Sequence, residues 1–493
     1  MYSIRNAIRG IALVGFVAAL GACNDDPLVE TPPPGGGDDP PEITMTAPSG
    51  GAAVEPGSTV AITWTATDDN GVVGVDLYYT ADGVAETEIA MDLVDSNYDW
   101  VTPDQTLYGV VVRGVATDSE AQTGEDTTDD IFAVVNFSAR GYVQGAACED
   151  CHADYYDDVY NGSGHPYKLN KVEGGVPPEY PNGPGVANPP AGMTWNDVSY
   201  VIGGYGWKAR FIGTEAFNQG YIYTPVAGEN QWNLLPSTWT DYHAGELKPY
   251  DCGSCHTTGW QSLDENGGVH QDGLTGFEGT YEETGVGCEA CHGAGARHVS
   301  TQAAVDIINT SSDELCGSCH NRGLDPITNI PVSGEFIRHH EQYNEFTNSQ
   351  HFGVVGCNDC HDPHLGTRYD MGGIIAECEG CHADETATNN HVVGLDCVTC
   401  HMSQATKSAV ADADNPIFVG DVKTHIFTIN PGAFNKEYFF NADSTAVATA
   451  TEGVTLDFAC YQCHQDPVTG TGGTNTEQTL ADLSARATGI HTP

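Results

Sequence analysis

The chain has 493 residues and carries 17 Lys plus Arg against 68 Asp plus Glu, a formal net charge of −51. A surface of that sign repels nucleic acid and anionic lipid, which excludes both as partners and leaves basic partners, cations and positively charged mineral surfaces. The length predicts two or three domains, and 59 Gly with 26 Pro leave little room for long helices.

At the N-terminal end, Arg5 and Arg9 precede an apolar run from Ile11 to Leu20, and Gly21 and Ala22 follow. This layout predicts a secretory signal over residues 1–22. The run is too short to span a bilayer, and no second run is long enough for a membrane helix. Cys23 directly follows Leu20-Gly21-Ala22 and resembles the lipobox cysteine of bacterial lipoproteins. The resemblance implies that Cys23 is lipidated and becomes the mature N-terminus, so that the membrane is met only through a lipid anchor. Residues 23–41 include TPPPGGGDDPP, have almost nothing apolar to bury, and predict a disordered tether.

Residues 42–137 contain no cysteine. Apolar runs at Val60–Trp64, Val73–Tyr79, Tyr108–Val112 and Ile131–Val135 are separated by turn signals such as Asp69-Asn70-Gly71 and Ala81-Asp82-Gly83. Regular short strands between turns predict an antiparallel β-sandwich with Trp64 in its core. The stretch SGGAAVEPGSTVAITWTATDDNGV resembles bacterial immunoglobulin-like modules, which implies a spacer or adhesion unit.

Residues 138–493 hold eight copies of Cys-x-x-Cys-His. They are Cys148/Cys151/His152, Cys252/Cys255/His256, Cys288/Cys291/His292, Cys316/Cys319/His320, Cys357/Cys360/His361, Cys378/Cys381/His382, Cys397/Cys400/His401 and Cys460/Cys463/His464. They are numbered one to eight below. The string is the attachment site of a c-type haem: two thiols add to the vinyl groups and the histidine offers its imidazole to iron. Zinc sites, disulfides and redox dithiols reuse Cys-x-x-Cys but do not require histidine at the next position every time. The motifs use sixteen of seventeen cysteines, and thioether attachment is a periplasmic process that fits export. About forty residues per site is too little for eight separate haem domains, so the eight haems must pack as one array. The expected fold is therefore multidomain: an all-β immunoglobulin-like sandwich, then a mostly irregular, short-helical octahaem cytochrome c domain.

The long interval before Cys252 holds SGHPYKLNKVEGGVPPEYP, WNDVSYVIGGYGWKARF and YHAGELKPYDCGSCHTTGW. With the first four motifs it resembles extracellular multihaem cytochromes of metal-reducing bacteria, in particular the filament-forming tetrahaem type and the cytochrome c554-like superfamily. Eight of nineteen histidines are proximal ligands, leaving eleven, enough to close every iron with a second imidazole. The resemblance implies distal roles for His165, His243, His298, His364 and His425. His391, His351 and one of the adjacent pair His339 and His340 complete the set. His270 and His491 are expected to be non-ligands. Met402 stands beside His401 and cannot reach the far face of the same haem. The acidic loops offer oxygen ligands to calcium, without EF-hand spacing.

Irons closed on both faces leave outer-sphere electron transfer at low potential. The expected function is an electron conduit of extracellular respiration, an outer-membrane or cell-surface lipoprotein and a carrier rather than a catalyst. Its partners would be other c-type cytochromes and mineral or electrode acceptors. Two alternatives stay open. One is an octahaem reductase of a nitrogen or sulfur oxyanion, which needs an open iron beside a basic pocket. The other is a subunit of a polymeric cytochrome filament, a homo-polymer in which a spare histidine such as His165 serves a neighbouring subunit.

Overall fold

The computed structural model describes residues 39–322, 329–383, 396–411, 419–464, 478–488 and 490. Cys23, His391 and His491 lie outside these residues.

The N-terminal part is two facing sheets. One has the order β1 (Glu42–Ala47), β3 (Thr59–Thr67), β6 (Asn97–Val101). The other runs β2 (Ala53–Val54), β9 (Phe132–Val134), β7 (Leu107–Asp118), β4 (Val72–Ala81), β5 (Val84–Leu93), with β8 (Thr123–Thr127) also on β7. Alternation along β3 turns Val60, Ile62 and Trp64 inward against Leu77, Val110 and Val112. Trp64 is buried in this core, where the sequence puts it. Both turn signals deliver the conformation they need: Gly71 and Gly83 have φ of +95° and +69°, open to glycine and costly for other residues.

The sandwich is seated on the next part of the chain. Ala133 and Val135 pack with Val143 and Ala147 of the segment that leads into helix α1 (Gln144–Tyr156), which carries the first motif. The Tyr108 hydroxyl donates to Asp150 Oδ2 at 3.0 Å, and Gln302 Nε2 donates to Asp82 Oδ2 at 2.8 Å.

The interval between the first and second motifs folds as a five-stranded antiparallel meander: β10 (Leu169–Lys171), β11 (Val198–Gly203), β12 (Lys208–Gly213), β13 (Gln231–Asn233) and β14 (Thr238–Thr240). Both faces are buried. Tyr200, Ile202 and Ile212 lie in one cluster, and Val201, Ala209 and Phe211 in another. An irregularity in register between Val198 and Tyr200 puts Val198 on the same side as Val201. At the β11–β12 hairpin a Cβ on Gly203 would meet the Lys208 carbonyl at 2.6 Å. A third core, with Phe336, Ile337, Ile426, Phe439 and Phe458, gathers segments around the last motifs. The rest of the described residues form short helices, three small two- or three-stranded sheets and irregular chain, so the short-helical expectation gains sheets that local apolar runs did not announce.

Candidate functional site

Each motif sits on a short helical turn. Such turns include Cys288–His292, Cys357–Cys360, Val398–His401 and Leu456–Cys460, and the backbone N–H of His361, His401 and His464 donates to the carbonyl of the first cysteine in its motif. Helical spacing brings residues i, i+3 and i+4 to one face, so both thiols and the imidazole point the same way. The sixteen thiols form no disulfide. Among the described residues no cluster of three or more His, Cys, Asp or Glu side chains could hold a metal ion, which leaves the calcium expectation without such a site there.

The motifs converge on one continuous cavity of 3460 Å³. A site for one small molecule measures about 300–1,000 Å³. Fourteen of the sixteen motif cysteines and seven of the eight motif histidines line the space. Six further histidines line it: His165, His298, His340, His351, His364 and His425.

The imidazoles come in pairs. His152 and His298 have ring centres 6.4 Å apart with planes at 15°. His256 and His340 are 6.2 Å apart at 62°, and His292 and His364 are 6.3 Å apart at 5°. His361 and His425 are 6.2 Å apart at 46°, and His351 and His382 are 6.0 Å apart at 79°. Every pair joins one motif histidine to one that is not. A metal–imidazole bond is about 2.0 Å and the nitrogen lies about 1.1 Å from its ring centre, so two imidazoles on opposite faces of one iron would stand about 6.2 Å apart. The side chains therefore fit bis-imidazole iron at five sites. His165 is buried beside His320 and His364, both near enough to disfavour its protonation.

Hydrogen bonds orient these rings. With Nδ1 as donor, His256 bonds the Lys168 carbonyl at 3.1 Å, His292 the Ile308 carbonyl at 2.7 Å and His401 the Phe427 carbonyl at 2.8 Å. His298 does the same with the Ala303 carbonyl at 3.1 Å, and His364 with Asp362 at 3.2 Å. A donated Nδ1–H leaves the Nε2 lone pair for a metal. Burial lowers the pKa of His256 to about 4 and those of His165 and His425 to about 3, favouring the neutral, ligating form.

Two expected ligands are placed elsewhere. His243 lies outside the cavity on an exposed turn, its Nδ1 2.7 Å from Glu246. Of the adjacent pair, His340 faces His256, while the His339 ring lies 4.0 Å from that of His340, tilted by 46°, and does not line the cavity. His270 Nδ1 bonds the Phe277 carbonyl at 2.9 Å, away from the motifs.

Neighbouring motifs touch through their sulfurs. Cys148 lies beside Cys288, Cys319 beside Cys255 and Cys357 beside Cys316. Cys291 lies near Cys316, Cys360 near Cys378 and Cys381, Cys397 near Cys378, and Cys400 near Cys460 and Cys463. In the haem-bearing protein these sulfurs are thioethers, so the contacts measure closeness. Glu289, buried inside the third motif, was not among the expected site residues. Its carboxylate accepts from Val143 N at 3.0 Å, Gln144 N at 2.9 Å and Gly295 N at 2.7 Å, tying the first site to the third. Only the Glu inside Cys-Glu-Ala-Cys-His could have hinted at it.

Residues 41–108 match the model of the bacterial Ig domain, and residues 236–293 match that of cytochrome c554 and c-prime. No curated protein matches the chain. Similar solved structures include the outer cell wall cytochrome OcwA, 16% identical with a TM-score of 0.44, over 70% of this chain and 86% of that one. Another is the undecaheme cytochrome from the S-layer of Carboxydothermus ferrireducens, 13% identical with a TM-score of 0.32, over 66% of this chain and 51% of that one. This chain thus spans about half the length of the undecaheme protein. Among the described residues no helix is long and apolar enough to cross a membrane. What the residues build and what the matched segments describe agree: the chain carries a cytochrome c554 and c-prime segment behind a bacterial Ig domain, and its Cys-x-x-Cys-His motifs are those of covalent haem attachment.

Proposed function

We propose that the chain is an octahaem electron conduit of extracellular respiration, exported, tethered at the outer membrane or cell surface through lipid on Cys23, and exchanging electrons with other c-type cytochromes, minerals or electrodes. Residues 138–493 act as one electron-transfer unit, with residues 42–137 as the sandwich against it. Bound haem supplies reversible one-electron chemistry at iron. The eight motifs hold it by paired thioethers, and His152, His256, His292, His320, His361, His382, His401 and His464 are the proximal ligands. Opposite them stand His298 for site one, His340 for two, His364 for three, His165 for four, His425 for five and His351 for six. His165 goes to site four because it lies beside His320 and His364, and His364 already faces His292.

The observation that carries this reading is the unbroken run of neighbouring attachment sulfurs. It links sites one, three, four, five, six, seven and eight in order, with site two joined at four. Adjacent macrocycles follow from adjacent thioethers, and tunnelling needs that closeness. Two imidazoles on one iron exclude a substrate from that metal, which favours conduction over oxyanion reduction. His165, buried against this chain's own site four, also leaves the filament reading without its spare ligand. Intact mass and haem stoichiometry of the purified protein test the proposal: eight haems per chain and a low-spin ferric spectrum that cyanide leaves unchanged are expected. Fewer haems, or rapid cyanide binding in the native state, overturns it.

A further inference from the structure

Glu345 is fully buried, and haem attachment itself calls for no carboxyl there. It lies on the short helix Gln342–Thr347. Its Oε1 accepts from the Thr406 hydroxyl at 3.0 Å. Its Oε2 accepts from the Thr424 hydroxyl at 2.8 Å and from the backbone N–H of His425, and stands 3.9 Å from His425 Nδ1. Both threonines are fully buried as well. One carboxyl, 80 residues earlier in the chain, thus holds the Thr424–His425 peptide unit from which the imidazole projects. Burial pushes its pKa up to about 7, and threonine hydroxyls donate or accept, so the contacts hold with the carboxyl charged or neutral.

Other distal rings are fixed through the ring itself. His298 Nδ1 bonds the Ala303 carbonyl and His364 Nδ1 bonds Asp362, both close by in sequence. His425 Nδ1 is buried and makes no hydrogen bond of ordinary geometry, with the Lys423 backbone and Glu345 nearby. Its ring is therefore aimed from the backbone end. Burying a carboxyl is costly, and apolar side chains would join the same segments without that cost. What apolar packing lacks is direction, which a hydrogen bond to one particular N–H supplies.

The helix is placed for such work. His340 precedes it, His351 follows it, and Gln342 Oε1 lies 3.4 Å from His320 Nδ1. Residues 340–351 therefore supply or touch imidazoles assigned above to sites two, four, five and six.

We propose that Glu345 is the positioning residue of site five, setting the His425 backbone so that its ring stands opposite His361, 6.2 Å away. The inference rests on the pairing of His425 with His361. No bond to the protein forms or breaks; the carboxyl acts only through the ligand it holds.

The test is cyanide binding and electron paramagnetic resonance with spin quantitation on the full-length holoprotein. His425→Ala should open one haem in eight to cyanide. Glu345→Ala should do the same, and the double variant should again open one in eight, because both changes act on one iron. Two in eight in the double variant, or a Glu345→Ala protein with eight haems all closed to cyanide, overturns the proposal. Glu345→Gln keeps the shape, leaves an oxygen for the His425 N–H and lets a threonine hydroxyl accept from its amide. It should carry eight haems and keep every iron closed. It should also shift the g-values of one low-spin signal, the one that His425→Ala removes, since those values follow the setting of the two imidazole planes. A lost haem, no shift, or a shift in another signal overturns the proposal whether or not Glu345→Ala folds. A parent protein that binds cyanide, or a His425→Ala variant with every iron closed, would instead defeat the pairing of His425 with His361.

Discussion

His361 and His364 are three residues apart in one loop, yet their rings pair in different directions: His361 with His425 at 6.2 Å, His364 with His292 at 6.3 Å. Replacing His364 with Ala should therefore open the iron of site three and leave site five closed. Each opened iron is one of eight, so His364→Ala alone, and His425→Ala alone, should each turn one eighth of the ferric haem high-spin. The two open different irons, so the double variant should give two eighths. Electron paramagnetic resonance with spin quantitation reads the fractions directly. Added imidazole, which enters the space of the lost ring, should restore the low-spin signal in each case. If the double variant gave only one eighth, both histidines would serve a single iron and the assignment drawn from ring separations would fall.

Glu289→Ala should cost about 2 kcal/mol or more, because two buried backbone N–H groups, those of Val143 and Gly295, lose their acceptor at about 1–3 kcal/mol each; a thermal melt no lower than that of the parent would refute this. Trp64→Ala empties the centre of the sandwich and should cost about 3–5 kcal/mol. It should be seen as earlier loss of the β-sheet signal with the Soret band intact, and a changed haem spectrum would count against it. Chain made without haem attachment should keep the sandwich and fail to fold the remainder. Without haem the space of 3460 Å³ has nothing to fill it, and its apolar lining would be left to water. Limited proteolysis reads this as a surviving N-terminal fragment, and full-length resistance would contradict it.

The sequence by itself determined what is covalent or strictly local. Cys-x-x-Cys-His needs a single helical turn to bring two thiols and an imidazole to one face, so all eight motifs were legible from spacing. Alternation and turn glycines likewise announced the sandwich and its Trp64. The tertiary structure alone decided which second imidazole faces which motif. His298 faces the first motif although it follows the third, His351 precedes the motif it faces, and His340 rather than His339 turns toward His256. It also turned His243 out to Glu246. The physical reason is range. Attachment chemistry acts over four residues, while a second ligand or a neighbouring charge acts across space and is set by how distant segments pack around the macrocycles.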